Sequence, residues 1–137
     1  MAERPSTAAV AAASSDFDRW VVEEYRLGTT SGFTALVILV RIKKKAIALR
    51  RSTYLHVIGE ETGWSEVHAL FSQSGARWDG AALFVKRGPE GGPLDDFSAR
   101  LFLLDQQKRV ADDRLIINEG HFFDVWGRRM RIDEVAR

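Results

Sequence analysis

Cysteine is absent from the 137-residue chain, and histidine and proline each occur only three times. The absence of cysteine excludes disulfides, thiol nucleophiles, Cys-ligated zinc and iron–sulfur clusters. Twenty Lys and Arg residues against nineteen Asp and Glu residues leave a formal net charge of +1. The strong overall basicity of many nucleic-acid-binding proteins is therefore missing, although local basic patches remain open.

Long apolar runs are missing as well. The strongest, residues 35–40, is far shorter than the roughly 20 residues that a transmembrane helix needs. Residues 1–14 are rich in Ala, Ser and Thr and lack the basic start and apolar core of a secretory signal. We therefore expect a disordered tail over 1–14, a single domain over 15–137, no membrane partner and a cytoplasmic location.

Three segments have the apolar spacing of helices. The first follows Ser14 or Ser15 and ends at Gly28, and the second covers 63–74. The third covers 94–110, with a stripe formed by Leu94, Phe97, Leu101 and Leu104. Because the stripe of an amphipathic helix faces the core, we expect these side chains to be buried. Two favourable i,i+4 ion pairs are expected on the same helix, Asp96–Arg100 and Asp105–Arg109.

Residues 33–42 are apolar on both strand faces, which predicts a central strand. Short strands are predicted over 46–49, 53–58 and 78–85, followed by a meander over 114–117, 121–126 and 128–133. A continuous helix over 33–51 is an alternative to the first hairpin, but the β-branched residues favour strands. The predicted fold is α+β, a mostly antiparallel or mixed sheet of five or six strands packed against about three helices on one side.

Positive charge is concentrated in the segment 41–51. Its cations include Lys43, Lys44, Lys45, Arg50 and Arg51, and a second group, Arg128, Arg129 and Arg131, lies near the C-terminus. At the tip of a hairpin, such cations would contact phosphates or an acidic protein surface. The simpler interpretation of the lysines is a solvated turn, or a sheet edge protected against aggregation.

Sequence motifs of catalysis are absent, and the weak candidates for a site are His121, Glu119 and His68. An imidazole and a carboxylate could act together only if the fold brought them into contact. The simpler interpretation of His121 is a half-buried residue on a strand that follows a turn. Trp78 and Trp126 could line a ligand pocket, although the simpler interpretation of the tryptophans is ordinary core packing.

The leading functional hypothesis is a non-catalytic protein-binding or assembly (adaptor) module with a localised basic surface patch. Its partner would be a protein with an acidic surface. The aromatic cluster of Phe122, Phe123 and Trp126 also suggests a homodimer that forms through a strand edge or an apolar helix face. The alternative is a nucleic-acid-binding protein that uses the segment 41–51. A third hypothesis is a small enzyme or ligand-binding protein with a His/Glu site in a Trp-lined cavity. No cofactor and no metal are expected.

Overall fold

The computed structural model describes residues 14–28, 31–44 and 46–133. Within these ranges the helices are α1 (Asp16–Leu27), α2 (Trp64–Ser72), α3 (Asp96–Asp112) and a 3-10 helix (Arg114–Glu119). The strands are β1 (Phe33–Lys43), β2 (Ala46–Val57), β3 (Gly80–Lys86), β4 (His121–Asp124) and β5 (Arg129–Met130). All pairings are antiparallel, in the order β2-β1-β3-β4-β5. The α+β class is confirmed, whereas the predicted tail, except for Ser14, lies outside the described residues.

Helices cover both faces of the sheet. On the first face, α1 and α2 pack Phe17, Trp20 and Phe71 against the odd-numbered residues of β1. On the second face, α3 packs Leu103 and Val110 against the even-numbered residues. The expectation that all helices lie on one side is therefore wrong. A strand that is apolar on both faces would expose one of them to water unless each side were covered.

The segment 33–51 forms a β-hairpin, so the alternative of a continuous helix is wrong. Eight consecutive residues of β1, 33–40, are buried, and β1 lies between β2 and β3 as a central strand. The two short strands predicted over 46–49 and 53–58 form one continuous strand, β2. A β-bulge at Arg50 separates the pair Leu39–Arg51 from the pair Val40–Leu49, and the extra residue interrupts the alternation that a regular strand would show.

The predicted strand over 114–117 is wrong, because these residues belong to the 3-10 helix. The carboxylate of Asp113 accepts a hydrogen bond from the backbone N–H of Leu115 at 3.0 Å, which starts the helical turn. The last two predicted strands are shorter than expected. The carboxylate of Asp124 accepts hydrogen bonds from the backbone N–H groups of Trp126 and Arg128, each at 2.9 Å, and these bonds close the β4–β5 turn.

The predicted core face of α3 is also wrong. The buried side chains are Ala99, Leu103, Gln106 and Val110. Of the predicted stripe only Leu94 is buried, while Phe97, Leu101 and Leu104 are 67%, 53% and 59% exposed. The two sets share the same spacing and are offset by two positions, or about 200° around the helix. Because the true core face contains a small Ala and a polar Gln, its apolar signal is the weaker one.

The carboxylate of Asp18 joins the N-terminal ends of α1 and α2. One oxygen accepts from the backbone N–H of Ser15 at 3.1 Å, and the Ser15 hydroxyl in turn accepts from the N–H of Asp18 at 3.0 Å. The other oxygen accepts from the N–H of Trp64, the first residue of α2, at 2.7 Å. These bonds satisfy backbone donors that a helix start would otherwise leave unpaired.

Replacing this carboxylate tests its importance for the fold. Asp18→Ala removes acceptors from two helix starts, so we expect the free energy of unfolding to fall by about 1–3 kcal/mol. Thermal melting followed by circular dichroism measures the change. Glu23→Ala, at an exposed position of the same helix, is the control and should melt like the native chain. An unchanged melting temperature for Asp18→Ala would contradict the assignment.

Gln106 offers a test in which the substitution should raise the free energy of unfolding rather than lower it. It is only 3% exposed, and its side-chain nitrogen has no hydrogen-bond partner among the described residues. Because a buried unpaired donor is costly, Gln106→Met should raise the free energy of unfolding by about 1 kcal/mol. The neighbouring Gln107 donates to the Ser52 hydroxyl at 2.6 Å, so Gln107→Met should give no such gain. Urea titration of both variants measures the difference.

Candidate functional site

The β1–β2 hairpin presents unpaired cations. Lys43 and Lys44 are exposed at its tip, and Arg50 and Arg51 are exposed further along β2. Lys45, which the sequence analysis grouped with them, lies outside the described residues. No carboxylate of the described residues forms an ion pair with any of these four side chains. The hairpin cations, defined as these four residues, therefore keep their full charge toward solvent.

The second basic group lies at the opposite edge of the sheet, where β5 is the last strand. Arg128 pairs with Asp124 at 2.8 Å, and Arg131 pairs with Asp133 at 3.3 Å. Arg129 donates to the ring of His121 at 3.1 Å. Each of the three arginines predicted to contact a partner is thus bonded to a nearby side chain. The fold does not bring them together with the hairpin cations into one basic surface.

Acidic residues gather at the other end of the hairpin from its tip. An open groove of about 520 Å³ between α1 and the loop after β2 is lined by Glu23, Glu60 and Glu61 together with Arg19. One of these carboxylates, Glu60, pairs with Arg26 at 2.6 Å. Since β2 runs from the tip to this loop, roughly 35 Å of strand separates the two ends. The tip of the hairpin is therefore basic, whereas more acidic than basic side chains line the groove at its other end.

His121 is a packed histidine. Its ring lies 4.8 Å from the ring of Trp20, measured between centroids, and its Nδ1 accepts a hydrogen bond from the guanidinium of Arg129 at 3.1 Å. Burial, together with the charge of Arg129, lowers the pKa of His121 below its ordinary value of 6.5, and Glu24 opposes this shift. The imidazole is therefore neutral at physiological pH, with one nitrogen already occupied as an acceptor.

The other two catalytic candidates lie elsewhere. The carboxylate of Glu119 pairs with Arg109 of α3 at 3.1 Å, whereas the ring of His68 lies 5.3 Å from that of Trp78 in the core of the first face. No contact joins His121, Glu119 and His68. In residues 14–28, 31–44 and 46–133, no group of three His, Asp or Glu side chains is placed to hold a metal ion.

The two tryptophans predicted for a pocket are also separated. Trp78 is buried, with its ring 5.7 Å from that of Phe71. Trp126 is 66% exposed in the β4–β5 turn, and the guanidinium of Arg128 stacks over it at 4.8 Å. One residue belongs to the core and the other to the surface, so they do not line a common cavity.

The fold assembles a polar constellation that the sequence analysis missed. The hydroxyl oxygen of Thr34 lies 2.8 Å from His56 Nδ1, and His56 Nε2 lies 3.0 Å from Asp96 Oδ1. The groups have the hydroxyl–imidazole–carboxylate order of a catalytic triad, but the ring nitrogens are exchanged, because in a triad Nε2 faces the hydroxyl and Nδ1 the carboxylate. The three residues are separated by 22 and 40 positions, so only the pairing of β1 with β2 and the placement of α3 bring them together.

Burial nevertheless excludes Thr34 as a nucleophile. Its side chain is fully buried, and its oxygen accepts the backbone N–H of Leu94 at 2.8 Å, which leaves the hydroxyl proton to bond His56. Hydrogen bonds from His56 and Tyr54 lower the pKa of Asp96, and the charge of Arg100 contributes less. The constellation is therefore a structural relay that connects β1 and β2 to the start of α3.

The pKa of His121 gives a pH test. Because the folded chain disfavours the charged imidazole, the unfolded state gains a proton first as the pH falls below about 6.5, and stability declines from there. NMR titration of the native chain should show a His121 midpoint below 6.5. Arg129→Met removes the hydrogen-bond donor and its charge, so the midpoint should rise. A midpoint that stayed in place or fell in this variant would contradict the assigned cause.

Known proteins do not add to this description. No family model matches the chain, and neither the curated proteins nor the solved structures contain a significant match. Among the described residues, none of the helices has the length and apolar character needed to cross a bilayer. The function has to be inferred from the hairpin cations, the structural relay and the exposed apolar residues of α3.

Proposed function

We propose that this protein is a non-catalytic binding module whose β1–β2 hairpin docks onto the acidic surface of a partner protein. The observation that carries the proposal is the lack of ion-pair partners for the hairpin cations within the described residues. Seven other arginines are paired with carboxylates, namely Arg19, Arg26, Arg41, Arg87, Arg109, Arg128 and Arg131. The remaining described arginines without such a pair, Arg77, Arg100, Arg114 and Arg129, are scattered along the chain, whereas the hairpin cations lie within residues 43–51. Charge that is left unpaired at one place is available for a partner.

Electrostatic physics favours this use of the hairpin. Exposed charges of one sign increase the rate of encounter with an oppositely charged surface and select against like-charged partners. Arg50 and Arg51 offer planar guanidinium groups that bind carboxylates with two parallel hydrogen bonds, whereas Lys43 and Lys44 act as flexible point charges. The acidic groove at the far end orients the molecule, because it repels the surface that the tip attracts.

A protein partner is favoured over nucleic acid by the position of Tyr54. This tyrosine is the aromatic residue nearest in sequence to the hairpin cations, and a single-strand binder would use such a ring to stack bases. In the structure Tyr54 packs against the core of the second face, and its ring lies 5.5 Å from that of His56. The hairpin therefore offers charge without the stacking surface that Tyr54 would supply.

The positions of the candidate catalytic residues support binding rather than catalysis. His121, Glu119 and His68 lie apart, and the hydroxyl of Thr34 in the relay is buried.

A cytoplasmic location stays a prediction from the sequence.

Assembly as a homodimer is the second part of the proposal. Its predicted basis, the cluster of Phe122, Phe123 and Trp126, is wrong because Phe122 and Phe123 are buried. Helix α3 exposes four large apolar side chains, and three of them form one apolar helix face: Phe97, Leu101 and Leu104. The fourth, Phe102, has the ammonium of Lys86 over its ring at 5.2 Å. Exposed apolar residues that form one contiguous patch are typical of protein–protein contacts.

Charge reversal tests the docking hairpin. The combined change Lys43→Glu and Lys44→Glu should weaken binding to a fluorescent polyglutamate peptide by roughly tenfold or more at low salt. The control, Arg128→Glu with Arg131→Glu, makes an equal charge change at the opposite sheet edge and should have a smaller effect. Fluorescence anisotropy measures both, and equal affinity of the hairpin variant and the native chain would contradict the proposal.

The same titration separates the two classes of partner. Single-stranded oligothymidylate of matched charge serves as the second probe, at low and at physiological salt. Tighter binding of the oligonucleotide, with a steep linear fall of log affinity against log salt, would favour the nucleic-acid alternative.

A further inference from the structure

Helix α3 carries two apolar stripes on opposite sides. Its inner stripe, 99/103/106/110, faces the sheet. The outer stripe consists of Phe97, Leu101 and Leu104 and is more than half exposed at each position. A helix that covers one sheet needs only one apolar face, and its other face is normally polar. The outer stripe is therefore unexplained by the folding of a single copy.

The outer stripe follows the heptad spacing of a helix–helix seam. Positions 97, 101 and 104 correspond to d, a and d, and Lys108 occupies the next a position. Arg100 then falls at g and Asp105 at e. In a parallel helix pair, each g residue faces the e residue five positions later on the other helix, so Arg100 of one copy faces Asp105 of the second copy, twice by symmetry.

Both charges are available for such a contact. Neither Arg100 nor Asp105 makes an ion pair with another described residue. The expected pairs Asp96–Arg100 and Asp105–Arg109 do not form, because Asp96 bonds His56 and Arg109 bonds Glu119. The fold thus leaves one cation and one anion unpaired, one on each side of an exposed apolar stripe.

We propose that the outer stripe binds the same stripe of a second copy, with the two α3 helices parallel about a twofold axis. This inference rests on the homodimer of the proposed function and names its surface. A twofold axis perpendicular to the helices would make them antiparallel. The g positions of one copy would then face the g positions of the other, and the e positions would face the e positions. Asp105 would then face acidic residues, itself or Asp112, and Arg100 would face itself or Gln107. Only the parallel arrangement pairs Arg100 with Asp105. It also places Lys108 of the two copies side by side at the end of the seam, so their ammonium groups have to turn toward water.

The energetics suit a reversible dimer. Helix α3 is already ordered by its inner stripe, so association does not have to fold it. Lys108 can lay its methylene groups along the seam and keep its ammonium in water. The stripe is only about three turns long and buries less than a standard interface, so we expect a dissociation constant in about the micromolar range.

Sedimentation equilibrium of the full chain measures the dimer and the surface that forms it. Leu101→Asp should make the chain monomeric, whereas Leu70→Asp, at an exposed leucine of α2, should leave the dimer intact. Circular dichroism melts show that both variants fold. A native chain that stays monomeric at high micromolar concentration overturns this inference and the proposed homodimer together. If Leu101→Asp leaves the dimer unaffected, the outer stripe is not the interface, while the proposed homodimer stands.

Charge exchange tests the pairing across the axis. Arg100→Asp and Asp105→Arg should each weaken the dimer by roughly tenfold, because each places like charges opposite one another. The double variant should recover native affinity. Arg77→Asp, an equal charge change at an exposed position outside α3, is the control. Failure of the double variant to recover would overturn the Arg100–Asp105 contact.

The absence of cysteine allows a direct test of helix direction. Phe97→Cys and Lys108→Cys are prepared as separate single-cysteine chains and oxidised. In the parallel dimer both form disulfide-linked dimers with themselves, because each seam position meets its own copy. In an antiparallel dimer the two positions, about 16 Å apart along the helix, cannot both do so. Cross-linking confined to a mixture of the two chains would overturn the parallel arrangement.

Discussion

Strand β1 is the constraint on which the rest of the structure depends. Eight of its consecutive residues are buried, and both faces of the strand are apolar. Such a strand is stable only in the middle of a sheet that is covered on both sides. Strands β2 and β3 satisfy its backbone, α1 and α2 cover one face, and α3 covers the other. The layered order of the domain follows from this one segment.

The surfaces with proposed functions are consequences of the same arrangement. Burial along β1 ends at Val40, and the hairpin continues to Ile42 and Lys43, which are exposed. Its tip therefore projects into water and carries cations. On the second face, α3 uses Leu103 and Val110 to cover β1. The helical repeat then directs Phe97, Leu101 and Leu104 outward. Covering both faces of β1 thus leaves an exposed basic tip and an exposed apolar stripe.

Local patterns predicted the elements whose signal lies in neighbouring residues. The Ser15 and Asp18 capping box starts α1 where the sequence indicates it, and the β-branched residues of β1 form a strand. Patterns failed where a single side-chain hydrogen bond or a packing choice decided the outcome. Asp113 turned a predicted strand into a 3-10 helix, and two stripes of identical spacing on α3 could not be ranked by apolar content alone.

The sequence by itself determined the α+β class, the absence of thiol chemistry, the central strand and the clustering of basic residues between 41 and 51. Each of these depends on composition or on spacing within one element. Only the tertiary structure decided which side of α3 is buried, and that the arginines at 128–131 are locally paired while the hairpin cations are not. It also decided that Thr34, His56 and Asp96 form a relay. The relay joins residues far apart in the chain. The buried side of α3 depends on which elements pack together, and the arginine pairs depend on how the chain turns around them, which residue spacing alone does not record.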